Sequence, residues 1–386
     1  MRNRINKIIA SAVLGVTASI GGICSFAAGA DYYDSMRPGR LPSTLMESSE
    51  SASNPDVNFD QFPLASQQGA GKRDPRQPAN SLPLDEYSHS TGAEPDRYSA
   101  IDGRQKELTW GSTLFVGYDA FRGVSDGDWE NNGINTGLNF GTRLGTFSDM
   151  TGIGFQIGGS AGAYNWSGTD YRARSLTSGE TQGFLTYGIF RRATDESRVS
   201  AGLVNDWMFN DNFGVFGANP TLTQMRGQIG YAINPRDEFG LWGTWRANSS
   251  TESVPYVHTA TYRSVNLLSA FWHHHWLFGA DTWLMIGAPE NHRLAGPGSL
   301  GSYYVSASSV LPLNNVVSIY TNVAYMAPSA GPGDPGSNED AWNFTVGMSF
   351  SPRCNARNSS VIGQRWMPLM PVANNGSFLV DASAWY

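Results

Sequence analysis

The sequence predicts an all-β fold, an antiparallel up-and-down transmembrane β-barrel of about twelve strands. Three observations support this prediction. Apolar and polar side chains alternate over long segments, long and short connections alternate between the segments, and no lysine follows Lys106. Strict alternation indicates strands with two unlike faces, because successive side chains of a strand point to opposite sides. We infer that the apolar face contacts lipid and that the polar face lines an enclosed lumen.

The stretch from Gln224 to Asn248, QMRGQIGYAINPRDEFGLWGTWRAN, shows the alternation clearly and breaks only at the predicted turn NPRD. We predict twelve such segments, near residues 110–122, 133–147, 151–166, 181–192, 198–210, 222–234, 237–248, 261–274, 278–288, 300–312, 315–327 and 341–351. The clearest lipid-facing sets are Ile134, Leu138, Phe140 and Leu144; Val199, Ala201, Leu203 and Trp207; Val317, Ile319, Val323 and Tyr325; and Trp342, Phe344, Val346, Met348 and Phe350. Each segment could cross a bilayer at a tilt, for which about nine to eleven residues suffice.

The connections also distinguish a membrane barrel from a soluble sandwich. The long loop GVSDGDWENN is followed by the short turn FSDM, then by the long SGTDYRARSLTSG and the short ATDES, and the alternation continues to the last segment. Bacterial outer-membrane barrels have short periplasmic turns and longer extracellular loops. The surface of a soluble protein would use lysine as well as glutamate, and the predicted barrel contains no lysine. An even number of strands would place both ends of the barrel in the periplasm.

The N-terminus is predicted to be a signal peptide over residues 1–30, because a basic stretch and an apolar run precede the small residues AGA. The alternative is a lipoprotein acylated at Cys24, but Ile23 occupies a position that requires glycine or alanine. Removal of the leader would leave Cys354 as the one cysteine, without a disulfide partner in the chain. No apolar run long enough for a transmembrane helix follows. We therefore expect export to the bacterial outer membrane.

The remaining regions are predicted from composition. Residues 31–106 are rich in Pro, Ser, Asp, Gln and Arg without sustained periodicity, which indicates a disordered periplasmic arm; the alternative is an arm that contacts peptidoglycan or another envelope protein. Residues 107–352 form the predicted barrel. Residues 353–386 form a tail, interpreted either as a plug in the lumen or as a periplasmic extension. The net charge of -7 argues against nucleic acid as a partner.

Five charged residues are predicted to line the lumen. Asp206, Arg226 and Arg246 have the polar parity on three successive strands and similar distances from their periplasmic turns, so they could lie side by side as charged groups do in selective pores. Arg143 and Asp119 also face inward on their strands. The alternative is a structural ion pair in a narrow barrel, because buried charges are paired or solvated.

Two further motifs suggest metal ligands, but neither predicts a metal. In the triplet His273–His275 the outer two imidazoles share a face, yet no third zinc ligand lies nearby, and a polar-aromatic belt at the membrane interface is favoured. In SDGDWENNG, Asp126, Asp128 and Glu130 have the spacing of a calcium loop, but Asn131 occupies the position of the required glycine. A solvated acidic loop is therefore expected. No cofactor is predicted.

No catalytic set is recognisable in the sequence. Outer-membrane phospholipases pair a histidine and a serine two residues apart at the lipid-facing rim, and neither His258 nor His292 has a serine at that distance. The carboxylate and histidine groups of outer-membrane proteases are not assembled either. The sequence therefore predicts a protein that is not an enzyme.

The tail contains the segment RWMPLMPVANNGSFLVD, whose prolines exclude a central strand. Together with the alternating segments it resembles a family of uncharacterised bacterial envelope proteins that are predicted to be porin-like barrels, over roughly Trp110 to Asp381. That resemblance implies the fold and brings no activity. We expect a channel for passive diffusion of small polar or anionic solutes, with outer-membrane lipid around it. The alternative is a non-conducting structural or anchoring barrel, which a tail inside the lumen would favour.

Overall fold

The fold is known from a computed structural model, which describes residues 109–384 except 128, 167–168, 172–173, 177–178, 255–256, 330–339 and 353–363. The predicted leader and arm lie outside the described residues, as do Asp128 and Cys354. In chain order, the strands are β1 (Trp110–Arg122), β2 (Asn131–Arg143), β3 (Gly154–Tyr164), β4 (Thr169–Tyr171), β5 (Arg174–Leu176), β6 (Glu180–Arg191), β7 (Val199–Asp211), β8 (Thr221–Ala232), β9 (Asp237–Arg246), β10 (Ser249–Val254), β11 (His258–Ser264), β12 (Leu267–His275), β13 (Asp281–Pro289), β14 (Gly301–Pro312), β15 (Val317–Pro328), β16 (Ala341–Phe350) and β17 (Val380–Ala382). A 3₁₀ turn (Val124–Asp126) follows β1, and helix α1 (Thr146–Thr151) forms the predicted FSDM turn.

Twelve of these strands close into one antiparallel barrel, in the order β1-β16-β15-β14-β13-β12-β9-β8-β7-β6-β3-β2. This confirms the predicted fold class. From β3 onward the connections between neighbouring barrel strands alternate in length, so the barrel has a long-loop end and a short-turn end. The first two connections depart from the prediction, because residues 144–153 between β2 and β3 outnumber residues 123–130 between β1 and β2. At the short-turn end the Asn234 carboxamide oxygen accepts the backbone N–H groups of Arg236 and Asp237, at 2.7 and 2.9 Å, which closes the NPRD turn between β8 and β9. None of the described helices is long and apolar enough to cross a membrane.

One predicted strand was wrong in its extent. The segment 261–274 was expected to form a single barrel strand, but the structure divides it between β11 and β12. The strand β11 pairs with β10 and β17 in a separate sheet at the long-loop end. Its sequence HTATYRS alternates like a barrel strand because one of its faces is also buried, so periodicity alone does not reveal the boundary.

The exterior of the barrel is apolar, as the alternation predicted. Leu138, Leu203, Val323 and Phe344 from four of the predicted lipid-facing sets are 40–46% exposed. On β8, Ile229 is 55% exposed. An exposed apolar surface that continues around a closed sheet is typical of a barrel in lipid, where every backbone group is paired within the sheet.

The interior is packed rather than empty, and the C-terminal segment, residues 364–384, is part of it. Two clusters of buried apolar side chains join wall and segment. In one, Met370 and Leu379 pack with wall residues such as Trp242 and Tyr304. In the other, Phe378 packs with Phe184, with ring centroids 6.2 Å apart. The C-terminal segment therefore supplies side chains to the core of the barrel.

Candidate functional site

The C-terminal segment runs through the lumen from the short-turn end to the long-loop end. Near the short turns, the Arg192 guanidinium donates to the carbonyl oxygens of Met367 and Pro368, at 3.4 and 3.0 Å. At the opposite end, β17 adds to β11 as a third antiparallel strand, with Tyr262 opposite Ala382. Between these two points few backbone groups of the segment form hydrogen bonds with one another. Side chains of the wall bind them instead.

A glutamine and an asparagine of the wall bind the backbone at Met370. The Gln156 Nε2 donates to the Met370 carbonyl oxygen at 2.8 Å, and its Oε1 accepts the N–H groups of Leu369 and Met370, both at 3.2 Å. The Asn139 Nδ2 donates to the same carbonyl at 2.9 Å. These bonds satisfy a buried stretch of backbone that forms no regular structure, which would otherwise be costly to bury.

Asp206 and Arg226 form a buried ion pair next to the segment. The guanidinium contacts both carboxylate oxygens, at 2.9 and 3.0 Å, and the two side chains are 0% and 1% exposed. Thr186 and Gln224 also donate to the carboxylate, at 2.7 and 3.1 Å. The Arg226 Nη2 further donates to the carbonyl oxygen of Pro371 at 2.7 Å. Both carboxylate oxygens of Asp206 thus accept hydrogen bonds, and the guanidinium of Arg226 joins the wall to the segment.

Asp119 is held by neutral donors. Its carboxylate accepts from the hydroxyl of Tyr164, the amide of Asn343 and the hydroxyl of Thr345, each at 2.7 Å, and from the Asn375 amide of the segment at 3.4 Å. It is completely buried. Several hydrogen bonds can stabilise a buried carboxylate where no cation is adjacent.

The other two predicted lumen residues are placed apart from this group. Arg246 lies level with Asp206, separated from it by Gln224 in the strand register, but its guanidinium turns to Glu290 at the long-loop end. Arg143 lies at the short-turn end, where it pairs with Asp149 at 3.2 Å, and both side chains are substantially exposed. Of the five residues predicted to line a pore, the structure joins only Asp206 and Arg226.

At the long-loop end, a second ion pair binds the last strand of the segment to the loops. Arg263 on β11 pairs with Asp381 on β17 at 2.9 Å, and Asp381 also accepts the N–H of Leu294 at 2.9 Å. Burial raises the pKa of Asp381, while Arg263 opposes that shift. These contacts fix the last strand of the segment to the loops.

Sequence reasoning missed the wall positions that make room for the segment. A Cβ at Gly141 would lie 2.5 Å from the carbonyl oxygen of Trp366, and a Cβ at Gly158 would lie 2.6 Å from the Val372 side chain. Glycine within a strand often marks the close approach of another backbone. Inward-facing glycines in the alternating segments were therefore a signal that the lumen is occupied.

The histidine triplet is divided between the two faces of the wall. His273 faces inward between Glu238 and Asp281, with ring nitrogens 3.1 and 3.0 Å from their carboxylate oxygens. His274 faces outward, 2.7 Å from the Asp237 carboxylate and in contact with the neighbouring tryptophans Trp272 and Trp276. Within the part of the chain that the structure describes, no group of three or more His, Cys, Asp or Glu is arranged to hold a metal ion.

The acidic loop after β1 differs from the expectation of a solvated loop. Glu130 is exposed, but Asp126 is completely buried and accepts the N–H of Gly123 at 2.7 Å. Burial raises the pKa of Asp126 to about 7. The prediction was wrong for Asp126 because the loop at Phe213–Ala218 packs against this turn, with the Val215 N–H donating to the carbonyl oxygen of Ser125 at 3.1 Å.

Comparison with known proteins gives a family and a fold. The model described as "Family of unknown function (DUF6666)" matches residues 111–380. Solved structures that resemble the barrel include the outer membrane phospholipase A from Escherichia coli (10% identity, 62% of this chain and 95% of that chain, TM-score 0.35), an anion-selective porin from Comamonas acidovorans (9%, 63% and 98%, 0.28) and a Pseudomonas aeruginosa FadL homologue (10%, 63% and 89%, 0.35). TM-scores this low do not support an inference about function. No curated protein matches the sequence.

Proposed function

Because the chain belongs to DUF6666, a family of unknown function, we propose its role from its own lumen: an outer-membrane β-barrel that its C-terminal segment closes at rest. The apolar exterior supports a place in lipid. The resemblance noted from the tail and the alternating segments is confirmed by the family match, which extends over both. In this proposal the barrel serves as a structural or anchoring element of the outer membrane and is not an enzyme.

The observation that carries the proposal is the burial of the polar wall on two opposite sides of the barrel. Asp206, Arg226, Asp119 and Asn343 belong to strands on different sides of the barrel, and each is at most 1% exposed. A small hydrated solute could pass only where such side chains contact water. The C-terminal segment instead covers them, and it forms hydrogen bonds with Arg226 through Pro371 and with Asp119 through Asn375. Free passive diffusion through the resting barrel is therefore not what we propose.

A second candidate is a channel that opens when the segment leaves. The polarity of the covered wall favours it, because departure of the segment would expose Arg226, Gln156 and Asn139, whose donors now bind carbonyl oxygens of the segment. Those donors would then face an aqueous lumen, and small polar or anionic solutes are the class that they fit. This candidate keeps the expected substrate class and adds a requirement for movement.

Conductance with a reversible crosslink separates the two candidates. Ser264 and Val380 are directly opposite in the pairing of β11 with β17, so Ser264→Cys with Val380→Cys should form a disulfide that fixes the exit of the segment. The native cysteines, Cys24 and Cys354, are replaced by serine in this variant and in its control. The full-length protein is reconstituted in a planar lipid bilayer and recorded before and after dithiothreitol.

If neither the control nor the crosslinked variant, oxidised or reduced, shows conductance steps, the result supports the closed structural barrel. Steps that vanish on oxidation and return on reduction support the gated channel. Regular open steps that persist in the oxidised crosslinked protein would show that solutes pass with the segment in place, which contradicts the proposal. Heat-modifiable migration on gels verifies that each sample is a folded barrel.

A further inference from the structure

Two arginine side chains converge at the short-turn end, beside helix α1. A Cβ placed on Gly152, the residue that follows α1, would lie 3.4 Å from Arg191 Nε and 3.4 Å from Arg365 Nη2. The two nitrogens are therefore at most twice that distance apart. Arg191 is the last residue of β6, and Arg365 belongs to the start of the C-terminal segment, so the pair brings together the wall and the segment.

The described contacts of Arg365 are with neutral groups. Its Nη2 donates to the carbonyl oxygen of Ser148 at 3.4 Å, and its guanidinium carbon lies 5.0 Å from the ring centroid of Trp366. Its Nε is buried and has no hydrogen-bond partner among the described residues. These contacts orient the guanidinium group towards Gly152 and do not balance its charge.

The acidic side chains of this end do not balance the two charges either. Asp149 on α1 is paired with Arg143 at 3.2 Å. The turn after β6 contains two acidic residues, Asp195 and Glu196, and both are exposed. Within the part of the chain that the structure describes, neither guanidinium group of the converging pair forms an ion pair with a carboxylate. Two like charges this close repel each other, and an anion between them would stabilise both.

Arg191 lies at the edge of the lipid-facing surface. Ile189, two residues earlier on the same face of β6, is 45% exposed, whereas Phe190 between them faces inward and is 1% exposed. With a rise of about 3.3 Å per residue, Arg191 lies roughly 7 Å further towards the short-turn end than Ile189 does. A long basic side chain at the end of an apolar surface extends to the level of the lipid headgroups.

Helix α1 adds exposed apolar side chains next to the two arginines. Phe147 and Met150 are 51% and 86% exposed, and Leu144, just before the helix, is 42% exposed. A ligand that uses both features has an anionic group for the arginines and an apolar part for this surface. A phospholipid has both, and basic pockets at the membrane surface are known to bind lipid headgroups.

We propose that Arg191 and Arg365 bind the phosphate group of a phospholipid at the short-turn end. Guanidinium groups bind phosphate through charge-assisted hydrogen bonds of about 2.7–2.9 Å, so two nitrogens at this spacing can contact oxygens of one phosphate. Free phosphate offers the same group, but only a lipid would also contact Phe147 and Met150. The bound lipid would join the wall to the segment where the segment enters the lumen. The inference rests on the proposed place of the barrel in lipid and does not depend on whether the barrel conducts.

Native mass spectrometry of the full-length protein, folded in detergent micelles, tests the site. The protein is titrated separately with dioleoyl phosphatidylglycerol and with dioleoylglycerol, which has the same acyl chains and no phosphate. We expect the protein to retain one phosphatidylglycerol molecule at concentrations at which it retains no dioleoylglycerol. Equal retention of the two lipids would overturn the proposal.

Three variants make the test specific. Arg191→Gln and Arg365→Gln should each weaken phosphatidylglycerol binding by about tenfold or more, because each removes a hydrogen bond between charged groups. Arg236→Gln is the matched control, since it removes one positive charge from an exposed position in the NPRD turn at the same end of the barrel, and it should leave binding unchanged. Heat-modifiable migration verifies that each variant is folded. Equal binding by Arg191→Gln and Arg236→Gln would overturn the site, even if Arg365→Gln displaces the segment.

Competition with inorganic phosphate distinguishes a lipid from a free anion. We expect a large excess of phosphate to leave the phosphatidylglycerol complex intact, because free phosphate lacks the contacts with the apolar side chains of α1. Displacement of the lipid by an equal concentration of phosphate would overturn the assignment to a lipid. Neither outcome affects the conductance test of the proposed function.

Discussion

Replacing Arg226 with methionine should destabilise the barrel strongly, because the substitution leaves the carboxylate of Asp206 buried without its cation. Removing one member of a buried ion pair typically costs about 3–5 kcal/mol. Thr186 and Gln224 still donate to the carboxylate, at 2.7 and 3.1 Å, which favours the lower part of that range. The carbonyl of Pro371 also loses its donor. We expect a loss of about 3 kcal/mol in the free energy of unfolding, measured by urea titration with tryptophan fluorescence.

Two controls decide whether the cost comes from the stranded charge. Arg143→Met removes an ion pair whose side chains are 37% and 50% exposed, and it should cost less than about 1 kcal/mol. Asp206→Asn combined with Arg226→Met removes both charges and should recover at least half of the lost free energy of unfolding. Removing both members of a buried ion pair costs less than removing one, because no unpaired charge stays buried. An Arg226→Met protein as stable as Arg143→Met would refute this reasoning.

Three further substitutions test the segment and the buried carboxyl group of Asp126. A Cβ at Gly141 would meet a backbone oxygen of the segment at 2.5 Å, so Gly141→Ala should speed proteolysis of the segment, whereas Gly183→Ala, with no neighbour nearer than 3.8 Å, should not. Gln156→Leu removes three hydrogen bonds to the segment and should lower the free energy of unfolding by about 1–3 kcal/mol in urea titrations, which Gln228→Leu should not. The contribution of Asp126 should lower the unfolding midpoint as the pH rises from about 4 to about 7, because the folded state holds the proton on Asp126 more tightly than the unfolded chain does. Asp126→Asn should flatten that dependence.

Each of these expectations has a contrary result. Equal proteolysis of the two alanine variants, or equal stability of the two leucine variants, would mean that the wall does not contact the segment as described. Burial raises the pKa of Asp126, and the Gly123 N–H, the Asn131 side chain and the charge of Arg122 oppose that shift. An equal pH dependence in the wild type and in Asp126→Asn would show that the folded state does not hold the proton on Asp126 more tightly.

The alternation of side chains was sufficient to predict the barrel wall, because lipid imposes a period of two on every strand that crosses it. Ile229 and Arg226 differ in parity, and the structure exposes one and buries the other. The same signal failed at residues 261–274, where β11 alternates for a different reason: it packs between β10 and β17 in the loops. Periodicity reports that a strand has two unlike environments, but it does not identify them.

The position of the C-terminal segment could not be predicted from its own residues. It contains prolines and has no sustained periodicity, so plug and extension were equally compatible with it. The decisive information lies in the wall, in inward glycines such as Gly141 and in side chains such as Gln156 that bind backbone. The burial of Asp126 likewise depends on packing between two loops that are distant in sequence, and local composition carries no signal for such packing.

Hydrogen–deuterium exchange of the full-length protein in lipid nanodiscs tests most directly whether the C-terminal segment occupies the lumen. The amides of Leu369, Met370 and Ala373 are bonded to wall side chains, and Met370 and Ala373 are buried, so peptides from this region should exchange as slowly as those of the barrel strands. Exchange as fast as that of the exposed turn at Asp195 would contradict the closed lumen.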